Sequence, residues 1–279
     1  MEIIFDKVSF VYNASTPLEK TILNDITFSI GETGIYSFVG ASNSGKSAIG
    51  SLISTVINPT KGKVKIGVYS SSGRKKDVKS VRSKIGFMYK NPYDMFFNKT
   101  VFDELSFGLE KFNYKTNNIK KRVEDSLILV GLSNDYLEKN PLELNLRDAK
   151  KLALACILIY NPKIIILDEI TSGISYSDKK ELIRLLKTLK NKYKKTIIIL
   201  SKDTSFCYEV TDYVYLMSLT RLVASGKKNL LEDEELLKNN NLEVPKIVSF
   251  VNECKKKGHD IHYYTNILDL IKGVYRDVY

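Results

Sequence analysis

Apolar residues along the chain fall into two patterns. Strict alternation and short unbroken apolar runs predict strands, whereas apolar residues three or four apart predict helices. The predicted strands cover residues 3–5, 8–12, 26–30, 36–39, 64–66, 84–89, 164–167, 196–200, 214–217 and 222–224. The predicted helices cover residues 48–56, 101–109, 119–130, 150–160 and 178–193. This succession predicts an α/β fold around a mostly parallel sheet, which ends in a hairpin formed by the last two strands.

Two stretches depart from this alternation. Residues 70–79 are polar and are expected to form a loop. From Pro245 onward the composition changes, because Ile247, Phe250, Val251 and Cys254 recur at helical spacing and are followed by lysine- and tyrosine-rich sequence. We therefore interpret residues 245–279 as an extension that follows a main domain of residues 1–244.

Composition narrows the class of protein only a little. The 279 residues are 43% hydrophobic and 27% charged, which is typical of a globular chain with a full core. Lysine and arginine exceed aspartate and glutamate by 43 to 32, for a net charge of +11. The basic residues are scattered, with short clusters at 74–76 and 255–257, so no specific binding of nucleic acid is expected.

Cysteine and histidine give little indication of metal or redox chemistry. Cys156, Cys207 and Cys254 show no metal-binding or redox spacing, which fits a reducing compartment. His259 and His262 have no evident partner ligands. No signal segment opens the sequence, and no stretch approaches the roughly 20 apolar residues of a membrane span, so a second subunit is expected to provide any membrane anchor.

A phosphate-binding loop is the first chemical motif. The sequence G-A-S-N-S-G-K-S fits G-x-x-x-x-G-K-[ST] and lies between a predicted strand and a predicted helix, the context that the motif requires. Backbone N–H groups of such a loop bind phosphates, Lys46 reaches the β and γ phosphates, and the Ser47 hydroxyl is a Mg²⁺ ligand. Asn43 tolerates a left-handed backbone, so it is compatible with the loop. The predicted ATP-binding positions are Gly40, Ala41, Ser42, Asn43, Ser44, Gly45, Lys46, Ser47 and Ala48.

A second motif follows the apolar strand at 164–167. Asp168 leaves the carboxyl end of that strand, where open α/β sheets bind their ligands, and it is expected to hold Mg²⁺. Glu169 is expected to orient or deprotonate the attacking water. Together with the phosphate loop, this pair predicts an ATP-hydrolysing site.

The order of these motifs resembles the ATPase subunits of ABC transporters. Tyr12 lies where that family stacks an aromatic ring on adenine. Within the family, N-P-Y-D-M-F-F at 91–97 and the tail at 236–258 are most similar to energy-coupling factor transporter ATPases. The resemblance implies a P-loop NTPase of the ABC ATPase type with a helical subdomain at about 91–160. It also makes Met95, Phe96 and Phe97 candidates for the groove that receives a membrane partner, with burial in the core as the alternative.

The sequence L-N-L-R-D at 144–148 occupies the place of this family's L-S-G-G-Q signature, which closes over ATP held by the opposite subunit. Asn145 replaces the serine, Leu146 and Arg147 replace the glycines, and Asp148 replaces the glutamine. The β-carbon of Leu146 is expected to hinder close approach. A carboxylate of Asp148 at about 5 Å from the γ-phosphate would cost roughly 3 kcal/mol, which Arg147 could offset in part.

Further departures concern positions that sense the γ-phosphate. Lys90 stands in place of the family's glutamine, Ser175 in place of its coupling aspartate, and Lys202 in place of its switch histidine. Two added cations beside ATP are expected to tighten nucleotide binding while slowing turnover.

The resemblance implies an ATP-binding subunit, with ATP and Mg²⁺ as cofactors, at the cytoplasmic face of the membrane. It would drive uptake of a vitamin or metal ion through integral membrane subunits. Because the altered positions are those donated to a partner or used to sense the γ-phosphate, we expect pairing with a second, different ATPase. The alternatives are a weakly hydrolysing regulatory subunit and an ABC protein that acts on nucleic acid or ribosomes. Neither the cargo nor the effect of the altered motifs on hydrolysis follows from the sequence.

Overall fold

The structure, a computed structural model, describes residues 1–31, 33–71, 76–112, 114 and 118–278. Its strands are β1 (Ile3–Tyr12), β2 (Lys20–Ile30), β3 (Gly34–Val39), β4 (Lys61–Ile66), β5 (Tyr69–Ser70), β6 (Ile85–Met88), β7 (Ile164–Asp168), β8 (Thr196–Ser201), β9 (Tyr213–Ser218) and β10 (Arg221–Lys227). Its α-helices are α1 (Lys46–Ile53), α2 (Lys76–Arg82), α3 (Val101–Lys111), α4 (Ile119–Leu129), α5 (Leu146–Leu158), α6 (Tyr176–Asn191), α7 (Thr204–Val210), α8 (Glu234–Asn239), α9 (Lys246–Lys256) and α10 (Ile267–Val278).

Six strands form the central sheet in the order β10-β9-β3-β8-β7-β6. All neighbouring pairs are parallel except β9 with β10, which form the predicted antiparallel hairpin. Every residue of β7 and β8 is buried, as expected for strands covered on both faces. The carboxyl ends of β3, β6, β7 and β8 therefore meet at one edge of the sheet, which is where the predicted motifs begin.

A separate antiparallel sheet has the order β2-β1-β4-β5. The sequence pattern did not predict that these strands would leave the central sheet. The strands predicted at 3–5 and 8–12 are one strand, β1, whose register shifts between Phe5 and Val8. Lys7 has a positive φ of 49° at this irregularity. A bulge of this kind interrupts the alternation without ending the strand, which explains the split prediction.

Two buried clusters hold the main body together. One joins the antiparallel sheet and α1 to one face of the central sheet, and the other joins α3, α4 and α5 to the opposite face. The helical spacing predicted after Pro245 is confirmed by α9. Val251, Ile261 and Leu270 form a small cluster that packs α9 against α10.

Some predicted boundaries shift. The predicted loop at 70–79 contains part of β5 and the start of α2, while its residues 72–75 lie outside the described part of the chain. Helix α1 ends at Ile53, because Thr55 takes a positive φ of 59°. Helix α5 begins at Leu146, four residues before the predicted start. Across the described ranges, no helix is both long enough and apolar enough to cross a membrane.

Candidate functional site

The phosphate-binding loop runs from β3 to α1 with the backbone that its sequence requires. Asn43 has φ of 65° and Gly45 has φ of 98°, both in the left-handed region. A β-carbon at Gly45 would lie 2.7 Å from the carbonyl oxygen of Ile22, and one at Gly40 would collide with the carbonyl oxygen of Met217. The glycines therefore allow the loop to pass close to β2 and β9.

Lys46 lies under this loop in a buried position. Its amine donates hydrogen bonds to the carbonyl oxygens of Gly40 at 2.7 Å and Ala41 at 2.9 Å. Burial lowers the pKa of Lys46, while the nearby carboxylates of Glu169 and Asp168 oppose that shift. The ammonium group thus lies among carbonyls and carboxylates at the start of α1, where a phosphate can replace some of these contacts.

Asp168 ends β7 with its carboxylate buried beside the same loop. Its Oδ1 atom has no hydrogen-bond partner among the described residues. Burial raises the pKa of Asp168, and a hydrogen bond from Ser47 and the charges of Lys46 and Lys90 act in the opposite direction. A buried carboxylate oxygen without a partner is costly, and a cation is the group that would satisfy it. The oxygen donors of Ser47 and Asp168 fit Mg²⁺ that also binds substrate phosphates.

Glu169 follows in an unusual backbone conformation. It has φ of 46°, and its N–H donates to the carbonyl oxygen of Leu200 in β8 at 2.8 Å. Its carboxylate accepts a long hydrogen bond of 3.5 Å from the Ser201 hydroxyl. Together with Ala41 and Ser42 it lines a groove beside the phosphate-binding loop. The predicted water-activating carboxylate therefore lies beside the first residues of the loop.

Both lysines that replace family residues lie beside this site. Lys90 follows β6 and is exposed, and it lines a cavity with Asp168. Its positive charge lowers the pKa of both Asp168 and Lys46. Lys202 follows β8 and lines the groove that contains Ala41 and Glu169. The structure thus brings one additional cation beside Asp168 and another beside Glu169.

The altered signature begins α5 and caps it. The Asn145 side chain accepts a hydrogen bond from the N–H of Asp148 at 3.0 Å and donates to the Asp148 carboxylate at 2.8 Å. Asn145 is therefore the N-cap of α5, and its side-chain amide also pairs with the carboxylate of Asp148. The hydroxyl of Tyr136 also donates to that carboxylate at 2.8 Å.

This packing directs the Asp148 carboxylate into its own subunit, whereas the expectation was a charge presented to a phosphate. The Asp148 side chain is buried, and its carboxylate faces Tyr136 and Asn145. Arg147 is also paired within the chain, because its Nε atom lies 2.6 Å from the carboxylate of Asp178 in α6. Both charges are therefore used within the chain.

Leu146 and Ser175 take structural positions at the ends of α5 and α6. Leu146 lies against Gly173, where an added β-carbon would come within 2.7 Å of its Cδ2 atom. Ser175 caps α6, since its hydroxyl accepts from the N–H of Asp178 and donates to the Asp178 carboxylate at 2.5 Å. The signature and Ser175 are thus joined within one subunit, because Arg147 and Ser175 both bond to the carboxylate of Asp178.

Tyr12 lies at the end of β1 with its side chain 57% exposed. It pairs with Lys20 of β2, and the next part of β2 contacts the phosphate loop at Gly45. Its ring touches Phe10 edge-on, with centroids 6.0 Å apart. An aromatic surface is therefore available near the loop, as stacking on adenine requires.

The three candidates for the groove that receives a membrane partner differ in how far their side chains are buried. Phe96 belongs to the core, Met95 is half-buried, and Phe97 is 63% exposed and packs edge-on against Phe107. The buried carboxylate of Glu104 fixes this corner by accepting from the N–H of Phe97 at 3.0 Å. Phe97 is therefore the member of the set that a partner can contact.

Sequence reasoning missed Lys150, Glu104 and Tyr136. Each is a polar side chain that contacts a motif from inside the fold, and no motif spacing marks it. The available signal for Lys150 was its place in A-K-K-L-A-L-A. In a helix that is mostly apolar, the polar face is narrow, so one of two adjacent lysines is expected to be buried.

Comparisons with known proteins agree with this geometry. The ABC transporter family model matches residues 23–172, more than half of the chain. The energy-coupling factor transporter ATP-binding protein EcfA2 of Streptococcus agalactiae is 34% identical over 261 residues, which cover 92% of this chain and 93% of that protein.

Solved structures share the fold. A dimeric ATP-binding cassette, MJ0796, in a post-hydrolysis state bound to ADP and Pi, has a TM-score of 0.75 at 21% identity and covers 81% of this chain and 98% of its own. The cbiO1 protein of Clostridium perfringens, part of the ABC transporter complex cbiONQ, has a TM-score of 0.72 at 24% identity and covers 90% and 98%. The chain therefore belongs to the ABC transporter ATP-binding family, among the energy-coupling factor transporter ATP-binding proteins.

Proposed function

We propose that this protein is the ATP-binding subunit of an energy-coupling factor importer, in which MgATP binding and hydrolysis drive uptake of a micronutrient. The observation that carries the proposal is the meeting of three groups at one sheet edge: the phosphate-binding loop with Lys46, the unpartnered carboxylate of Asp168, and Glu169. The EcfA2 relative supports the transport class.

Each group has a distinct part in the proposed reaction. The loop amides and Lys46 hold the nucleotide phosphates, and the exposed ring of Tyr12 stacks on the adenine. Ser47 and Asp168 would hold Mg²⁺, which neutralises charge on the β and γ phosphates when bound. Glu169 orients the attacking water and accepts its proton. Hydrolysis then releases the closed state that MgATP favours, and this population shift moves the membrane partner.

The proposed membrane partner contacts the corner around Phe97. This exposed ring packs on Phe107, and Glu104 fixes the backbone behind it, so the corner is apolar and held in place. Lys90 lies seven residues earlier, so the same segment connects the nucleotide site to the corner. We place the protein at the cytoplasmic face of the membrane, where separate integral membrane subunits select the vitamin or metal ion.

We further propose that the second ATPase of the complex is a different chain. In a homodimer both nucleotides would face the altered signature, whose Arg147 is paired with Asp178 and whose Asp148 is buried. In a heterodimer, a partner with an intact signature closes over the nucleotide held by Lys46. The nucleotide of the partner, which would face Leu146 and Arg147, is then the slowly hydrolysed one.

Purification from the native membrane tests this assignment. The tagged chain is captured after detergent solubilisation, and the proteins that accompany it are identified by mass spectrometry. A second ATPase together with an integral membrane protein is the expected result. Recovery of an active ATP-driven homodimer would exclude the heterodimer. Recovery with ribosomes, or with RNA whose binding weakens as salt is added, would exclude the transporter function.

The positions of Lys90 and Lys202 favour a second candidate function, a regulatory subunit that binds ATP but scarcely hydrolyses it. Both cations lie where they can retain a phosphate. Replacement of Glu169 by Gln in the assembled complex distinguishes the two functions. Loss of transport supports a hydrolysing subunit, whereas unchanged transport supports the regulatory one.

A further inference from the structure

Lys150 is a buried lysine on the second turn of α5, and its ammonium group contacts the loop that follows β7. It donates to the carbonyl oxygens of Glu169 at 3.1 Å and Ile170 at 3.0 Å, and also to that of Ser172. Three donors therefore meet three acceptors, which is the full capacity of an ammonium group. A buried charge that is satisfied in this way fixes the groups around it.

The loop that Lys150 holds has a constrained backbone. Glu169 adopts φ of 46°, which a residue with a β-carbon seldom takes and which needs support from its surroundings. Its N–H is bonded to Leu200, and its carbonyl oxygen accepts from both Lys150 and the N–H of Ser172. The peptide groups on both sides of Glu169 are thus fixed, and they set the direction in which its Cα–Cβ bond leaves the backbone.

The side chain of Glu169 has little else to hold it. Its hydrogen bond from the Ser201 hydroxyl is long at 3.5 Å. The charge of Glu169 favours the protonated form of Lys150, whereas burial, the largest effect, and Lys90 disfavour it and lower its pKa to about 8. At neutral pH Lys150 is therefore still mainly a charged donor, and charged donors make the stronger hydrogen bonds.

We propose that Lys150 is the positioning residue for Glu169, so that the first turns of α5 set the direction of the water-activating carboxylate through three backbone carbonyls. This inference rests on the role proposed above for Glu169. It gives the signature helix a task within its own subunit, in addition to the contact it makes across the dimer. The helix that begins at the altered signature is then necessary for hydrolysis at the site of its own chain.

Steady-state ATP hydrolysis by the co-purified complex provides the first test. Lys150→Met is expected to lower kcat at least tenfold and to change the KM for MgATP less than about twofold, because misplacing a catalytic group costs turnover rather than binding. Lys150→Arg, which keeps a charged donor, is expected to restore most of the turnover. Lys151→Met is the matched control, since Lys151 pairs with Glu181 and does not contact the loop.

A double-mutant cycle separates this inference from the proposed function. Glu169→Gln is expected to lower kcat, and adding Lys150→Met to it should cause no further loss, because both changes act through one group. A second full loss in the double variant would show that Lys150 acts independently and would overturn the inference. If Glu169→Gln leaves kcat unchanged, the proposed role of Glu169 fails instead, and the inference fails with it.

Hydrogen exchange gives a readout that does not depend on turnover. In Lys150→Met the amides of Glu169 and Ser172 are expected to exchange at least tenfold faster than in Lys151→Met, with the amides of the central strands unchanged. Equal exchange in the two variants would overturn the inference even where hydrolysis is slow. Unchanged exchange in the central strands excludes a general loss of folding.

Discussion

Lysine residues around the nucleotide site differ most in how far water reaches their ammonium groups. Lys46 and Lys150 are buried and bonded to backbone carbonyls, so their positions are fixed. Lys90 and Lys202 are exposed at the ends of β6 and β8. A buried cation that is held by hydrogen bonds fixes the positions of the groups around it. An exposed cation attracts phosphate by its charge, which salt can screen.

Restoring the residues usual in the family at the two exposed positions is therefore expected to weaken binding and speed turnover. Lys90→Gln and Lys202→His should each cost about 1 kcal/mol of MgATP affinity, or roughly fivefold, because each removes a screened charge near the phosphates. Titration calorimetry and steady-state kinetics measure both effects. Lys63→Gln is the control, because the Lys63 side chain is exposed on β4. An unchanged affinity that does not depend on salt would contradict the expectation.

Asp168 is the residue at which function and stability are expected to oppose one another. Burial raises its pKa, so at neutral pH the ionised carboxylate destabilises the folded protein without bound cation. Asp168→Asn is therefore expected to stabilise the nucleotide-free protein by about 1 kcal/mol and to abolish the increase in Tm caused by MgATP. Thermal unfolding with and without MgATP measures both. Asp125, whose side chain is exposed on α4, supplies the control, and Asp125→Asn should change neither quantity. A lower Tm for nucleotide-free Asp168→Asn than for the unaltered protein would contradict the expectation.

At the scale of elements, sequence periodicity predicted the central strands and the longer helices because burial alone determines them. It placed the start of α5 too late, since the N-cap residue Asn145 occupies a position that the family resemblance assigns to nucleotide contact. It could not predict that β1, β2 and β4 form a separate sheet, because alternation gives a strand its faces but not its neighbours.

The candidate site divides in the same way. The phosphate loop and the pair Asp168 and Glu169 were predicted because their chemistry requires fixed spacing along the chain. Lys150 lies 19 residues before Glu169 and reaches it only through tertiary packing. Its contact is with backbone carbonyls, which carry no sequence signal.

Contact between the signature helix and the following loop depends on Gly173. It has φ of 74°, and an added β-carbon would come within 2.7 Å of Leu146. Gly173→Ala is expected to lower the free energy of unfolding by about 2 kcal/mol, from backbone strain together with the clash. Gly258→Ala is a matched control, because Gly258 has φ of 89° but open space around its Cα, so it should show only the strain, about 1 kcal/mol. Urea unfolding measures both, and equal losses would exclude the clash with Leu146.

At the scale of the whole molecule, one polypeptide segment connects the nucleotide edge to an exposed aromatic corner. Lys90 follows β6 and lines a cavity with Asp168, and Phe97 lies at the corner where Glu104 of α3 fixes the backbone. The segment continues through α3, α4 and α5 and returns to the nucleotide edge at Lys150. Both ends of this helical region therefore contact the site, and in the proposed function this region would couple nucleotide state to the position of the membrane partner.

Disruption of this corner is expected to separate membrane association from nucleotide binding. Phe97→Ala removes an exposed ring whose burial by a partner would contribute about 2 kcal/mol, so association with the membrane subunits should weaken roughly 30-fold while MgATP affinity stays the same. Co-purification from detergent and calorimetry with MgATP measure the two properties. Val68→Ala is the control, because Val68 is also an exposed apolar residue but lies in the turn between β4 and β5. If the unaltered protein, Phe97→Ala and Val68→Ala retain the membrane subunits equally, the docking site lies elsewhere. A parallel loss of MgATP affinity in Phe97→Ala would show that the ring supports the nucleotide site instead.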